Sequence, residues 1–134
     1  MKTKTKSLIL ALLFLIVISI GLNVSAVEAR YIRDFNGVAD SLWARVTDKN
    51  TKNMKDNTRT YAVVNWDYSS QKGAHNMWFR VVNSNNEDRG TTLVPYLERK
   101  EFSTSATHTH YYWLLARREN GVDPETRVKG TWTP

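Results

Sequence analysis

The chain has 134 residues, no cysteine and a formal net charge of +6. That length holds one ordinary domain, and the missing cysteines exclude disulfide staples, a lipid-attachment cysteine and a cysteine nucleophile. A modest basic excess favours anionic partners, although it also serves plain solubility.

Residues 1–29 read as a secretory signal. Lys2, Lys4 and Lys6 form a basic start, and an uncharged apolar run of about 15 residues follows to Leu22. Val24-Ser25-Ala26-Val27-Glu28-Ala29 then offers two overlapping small-residue cleavage sites. A spanning helix needs about 20 apolar residues, so an uncleaved anchor is the weaker reading. Cleavage after Ala29 fits an A-x-A-like site best and makes the protein secreted and extracellular. It removes three Lys and Glu28, which takes the formal charge from +6 to about +4. Residues 30–134 remain as the single folded domain. With no disulfide, that domain must rely on packing, and all of its 5 Trp and 6 Tyr lie beyond the signal. A cysteine-free exported protein fits a Gram-positive bacterium.

Along the domain, 30–39 lacks clear periodicity; Phe35 and Val38 are candidates for packing and Asn36-Gly37 for a turn. In 41–47, Leu42, Ala44 and Val46 alternate with Ser41, Arg45 and Thr47, which predicts a strand; a short helix over 38–46 is the competing reading. Trp43 falls on the polar face. Residues 48–59 are nearly all polar and predict an exposed loop or hairpin tip. Residues 60–68 predict a strand with Ala62, Val64, Trp66 and Tyr68 facing in, and 77–83 another with Met77, Phe79 and Val81 facing in.

Residues 84–90 form a turn of Asn, Glu, Asp and Gly. Residues 91–97 are strand-like, with Pro95 pushing them toward an edge. Residues 98–104 are charged and then polar. Residues 107–117 give the strongest strand: Tyr112, Leu114 and Ala116 oppose Tyr111, Trp113 and Leu115, so both faces are apolar and the strand should be central and covered on both sides. A turn at 118–125 leads to a closing strand at 126–133, with Val128 and Trp132 inward. Short strands spaced by polar turns predict an all-β fold, a small antiparallel β-sandwich after an N-terminal signal helix.

The late aromatic strand His110-Tyr111-Tyr112-Trp113-Leu114-Leu115-Ala116 and the ending Arg127-Val128-Lys129-Gly130-Thr131-Trp132 carry a resemblance. With its V-x-G-x-W ending, the chain resembles a family of short secreted Gram-positive proteins that has only a domain-of-unknown-function label. That resemblance implies an extracellular β-sandwich and no known activity. In composition the chain is also similar to secreted bacteriocins of the lactococcin type, which are cysteine-free and aromatic-rich.

Candidate chemistry is sparse. His108 and His110, at i and i+2 of a strand, would share a face and are weak candidates for a metal, with His75 as a possible third ligand. There is no G-x-S-x-G elbow and no H-E-x-x-H, and Glu98 and Glu101 lie in a charged stretch with Arg99 and Lys100. No enzyme activity and no cofactor are expected. Trp43, Tyr61 and Trp78 lie opposite the core faces, where rings can stack on sugars or enter an interface. Lys49, Lys52, Lys55 and Arg59 form a loose basic loop suited to an anionic cell-wall polymer or a membrane surface. No basic stripe or recognition helix suggests nucleic acid. The expectation is a non-enzymatic envelope-binding protein using that loop with Trp43 and Trp78. A bacteriocin-like toxin and a secreted enzyme of unknown class are the alternatives.

Overall fold

Period-two alternation of apolar side chains sets the architecture. The computed structural model describes residues 32–47, 53–72 and 75–134; the signal segment, Lys49 and Lys52 lie outside them. Among the described residues there are nine strands and no helix: β1 (Arg33–Ala39), β2 (Ala44–Arg45), β3 (Asn53–Met54), β4 (Tyr61–Ser69), β5 (Met77–Asn83), β6 (Asp88–Val94), β7 (Arg99–Ser103), β8 (Tyr111–Arg118) and β9 (Thr126–Thr133). The first sheet runs β1-β9-β4-β7 and the second β2-β8-β5-β6, with β3 also pairing β8. All of these pairings are antiparallel, and the fold is a small β-sandwich.

The core lies between the sheets. Phe35, Val64, Trp66, Val128 and Trp132 enter from the first sheet, and Phe79, Val81, Tyr112 and Leu114 from the second. Rings meet edge-on: Phe35 with Phe79 at 5.6 Å and Trp66 with Phe79 at 6.2 Å between centroids. Aromatic area and edge-to-face geometry thus supply the cohesion that disulfides give many small secreted domains.

Four segments depart from the sequence reading. Residues 33–39 form a full strand whose alternation is hidden because its central inward position is Gly37. A Cβ there would fall 2.6 Å from the Val46 Cα. Asn36-Gly37 is therefore not a turn, and Asn36 N donates to Val46 O (3.0 Å), joining the two sheets at one side. Residues 41–47 hold only the two-residue β2, because the chain is crossing between sheets; Val46 is buried, but Leu42 is exposed. The charged stretch contains the edge strand β7, in which Phe102 alone is buried. Arg99, Lys100 and Glu101 blunt that edge against further pairing. Tyr68 leaves the inward row at a bulge after Trp66, and Trp66 Nε1 donates to Tyr68 O (2.7 Å).

Gly130 is the tightest of the described glycines. It sits between Phe35 and Trp66 in register, and a Cβ there would lie 2.0 Å from Asn65 O and 2.8 Å from the Phe35 ring. Backbone cannot give way as a flexible side chain can. Gly130→Ala is expected to cost roughly 1–3 kcal/mol, read as a lower urea midpoint. An unchanged midpoint would show that β9 has slack at this position.

Candidate functional site

The site grows from a mismatch on β8. Its inner residues Tyr112, Leu114 and Ala116 enter the core, but its outer residues Trp113 and Leu115 are also more than nine-tenths buried. Among the described residues, no second layer of backbone covers that outer face. Its cover is a side-chain cluster in which Trp113, Leu115 and Val82 pack under Trp43.

Strand register assembles the surroundings. Arg45 pairs with Leu115, Leu115 with Arg80, and Arg80 with Thr91, giving one row across β2, β8, β5 and β6. The neighbouring row runs Arg117, Trp78 and Leu93. Successive residues of a strand alternate faces, so these side chains project from the outer side. The Arg80 guanidinium lies 4.1 Å from the Trp43 ring centroid and that of Arg117 5.0 Å from the same ring. Arg45 stacks over Trp113 at 4.7 Å. Each such contact is worth about 0.5–1 kcal/mol at an exposed position. Asp88 takes part of the positive charge, with its Oδ2 3.1 Å from Arg80 Nε, which also donates to Thr91 Oγ1 (3.1 Å).

Stacking uses the flat face of a guanidinium. Its N–H groups lie in the plane; with Arg80 Nε engaged by Asp88 and Thr91 and Arg117 Nε buried, the terminal N–H groups are the ones left to face carboxylate or phosphate oxygens. The outer face thus combines three arginines with Trp43, Trp78 and Trp113. Trp43 and Trp78 are half-buried and share this face.

Trp43 is held by the crossing segment before β2. Arg118 N donates to Asp40 O (3.0 Å), and Arg118 Nη2 donates to Asp40 Oδ1 (3.1 Å). Asp40 also caps its own turn, with Ser41 N donating to Oδ1 at 2.6 Å. The hydrogen bond from the Ser41 amide chiefly holds the Asp40 carboxyl below its ordinary range, against burial, which raises it, and with a lesser contribution from the charge of Arg118.

Of the expected basic loop, the structure places Lys55 and Arg59, while Lys49 and Lys52 lie outside the described residues. Lys55 is fully buried, and its Nζ donates to Asn57 Oδ1 (3.0 Å) and Pro134 O (2.9 Å). Removing it from solvent is tolerable because it is hydrogen-bonded to oxygen on more than one side. Its backbone N donates to His110 O and its backbone O accepts from Thr109 N, both at 2.9 Å. Lys55 is therefore an internal fastener, not a contact for a polymer. Arg59 is half-buried beside the Tyr61 ring at 5.5 Å.

The paired-histidine geometry also fails. His108 and His110 precede β8 in a turn, and Thr109 between them has φ 68°. Their side chains are not the alternate positions of a strand. His110 Nδ1 lies 3.1 Å from His108 O and 3.1 Å from Thr107 Oγ1, while His75 pairs with Asp123 at 3.6 Å. Among the described residues, no group of three or more His, Asp or Glu is placed to hold a metal ion.

Sequence reasoning found Trp43 and Trp78 and missed Arg45, Arg80, Arg117 and Trp113 as a set. Alternation placed Arg80 outside, but only strand order and register make the four neighbours. The chain matches no protein-family model, no curated protein and no solved structure.

Two outcomes follow from these contacts. Lys55→Met should destabilise the domain by about 1–3 kcal/mol, because Asn57 Oδ1 and Pro134 O lose a buried donor. Chemical denaturation checks this, and a midpoint equal to that of the parent would mean water replaces the ammonium. Asp40, with its folded pKa lowered, adds stability that is present above its unfolded pKa and lost as pH falls through the folded value. The urea-midpoint gap between the parent and Asp40→Asn should therefore be largest near neutrality and shrink below the carboxylate range. A gap independent of pH would exclude the charge of Asp40 as its source.

Proposed function

We propose that the chain is an exported, non-enzymatic binding protein of the Gram-positive cell envelope, and that its ligand is an anionic wall polymer such as teichoic acid. The observation that carries this is the Arg80–Trp43–Arg117 stack beside Arg45 and Trp113. An evenly spaced row of phosphates fits this surface better than a single small anion. Arginines on several strands offer separate in-plane donors, while the indoles between them provide apolar contact for glycerol or sugar carbons. The signal-like residues 1–29 supply the route to the envelope. In this reading the contact moves from the 48–59 loop to the outer face of the second sheet, and Trp43 and Trp78 stay within it.

The test uses residues 30–134 and purified Gram-positive walls with and without their teichoic acids. Binding by co-sedimentation should depend on the teichoic acids and weaken with salt, because exposed charges are screened over about 8 Å at physiological ionic strength. Arg45→Gln combined with Arg117→Gln should weaken it about tenfold at low salt while the fold is retained. Equal binding to stripped walls, or equal binding by the double variant, would remove the outer face from this role. Capture by vesicles of anionic lipid, without capture by walls, would replace the polymer with a membrane surface.

A further inference from the structure

A second feature adjoins the Trp–Arg face at Trp113. The β5–β6 turn and the loop leading into β8 line an open cavity of about 510 Å³, whose lining includes Asn83, Asn85, Glu87, Arg89, Tyr111 and Trp113. That volume lies within the range of small-ligand sites.

Three properties define what it can hold. First, its walls are fixed before any ligand arrives. Asn83 Oδ1 accepts from the backbone N of Asn85 (3.1 Å) and Glu87 (2.9 Å), and Asn83 Nδ2 donates to Glu87 Oε2 (2.7 Å), which Arg89 Nη2 also reaches. On the opposite wall, Tyr112 OH accepts from Thr107 N (2.7 Å). Second, the charges cancel locally. Glu87 and Arg89 neutralise one another, so the cavity does not select for an anion. Third, polar groups sit beside rings: Tyr111 is exposed, while Trp113 is nine-tenths buried and its Nε1 has no hydrogen-bond partner. A shielded indole N–H without an acceptor costs stability.

Strain points to the same place. Thr109 lines the cavity at φ 68°, a conformation unfavourable to a β-branched residue. Its backbone N is tied to Lys55 O (2.9 Å) and its hydroxyl donates to His108 O (2.6 Å), so the conformation is imposed from outside the cavity. Strain of this kind gathers at ligand clamps.

We infer that this cavity is a binding site for one neutral sugar unit, most simply a pyranose ring. Paired hydroxyls would bond to the fixed Asn, Glu and Arg groups, and the C–H face of the ring would lie on Tyr111. The inference deepens the envelope reading, on which it rests for the source of the sugar. It makes the ligand a polymer carrying both phosphates and sugar residues, with Trp113 shared by the two contacts.

The experiment uses residues 30–134 and soluble neutral trisaccharides, namely tri-N-acetylglucosamine, maltotriose and cellotriose. Calorimetry should find at least one with a Kd of about 1 mM or tighter. Asn85→Ala and Tyr111→Ala should each weaken that affinity about tenfold. Thr109→Gly should raise the urea midpoint and lower the sugar affinity together, a combination a purely structural loop would not give. No binding by any of the three, or binding indifferent to both cavity variants, overturns the inference. Sugar binding without wall binding would remove the wall polymer and keep the cavity. Wall binding without sugar binding would do the reverse.

Discussion

The double-sided apolar character of β8 is the constraint on which the rest of the molecule turns. Inward, Tyr112, Leu114 and Ala116 complete the core; outward, Trp113 and Leu115 face away from it. Leaving such area in water forgoes about 25 cal/mol per Å². A third layer of backbone would be the usual remedy, but a domain of this length has little chain to spare. The fold uses side chains instead. Trp43 lies over the patch, and the guanidinium groups of Arg45, Arg80 and Arg117 stack on the indoles. The cover that stability requires is thus made of groups that bind anions. This ties the proposed recognition surface to the fold, and explains why Asp40 and Arg118 anchor the crossing segment that delivers Trp43.

Sequence patterning was a good guide wherever one strand decides its own geometry. The alternation in 77–83 and 126–133 predicts β5 and β9 with their inward residues, because each has one clearly apolar face. It was a poor guide where geometry depends on a partner. Gly37 occupies an inward position without a side chain, so β1 carries no complete signature. Phe102 is the single buried residue of a charged edge strand, and one residue makes no period. Leu42 fits an alternating pattern, yet it is exposed because the segment is changing sheets.

Lys55 is the sharpest case of this limit. A lysine among Asn, Asp and Thr belongs, on composition, to a solvated loop. Its burial is decided by Pro134, whose O atom meets its ammonium from 79 positions away, and by the backbone of Thr109 and His110. None of those partners is signalled locally. The same long-range ties hold Thr109 left-handed and keep the two histidines out of strand geometry. One buried cation therefore removes an expected polymer contact, removes an expected metal pair, and shapes a wall of the cavity beside Trp113.

In the proposed function, the two surfaces around Trp113 would divide the work of recognition. Exposed guanidinium groups attract over a Debye length and favour any polyanion, so they give approach and affinity more than choice. A cavity whose charges cancel contributes nothing at long range, but its fixed hydrogen-bond groups discriminate by shape once contact is made. Neither alone would select one glycosylated phosphate polymer among the anions of an envelope. Meeting at one indole, the two surfaces as proposed would together suit a ligand whose phosphates and sugar lie at matching positions. Because Arg45 stacks on the ring that also lines the cavity, filling the cavity would fix the platform on which that arginine rests. The physical consequence is coupling: occupancy of either surface should favour occupancy of the other by the same factor, as linkage demands of any two sites that share a structural element.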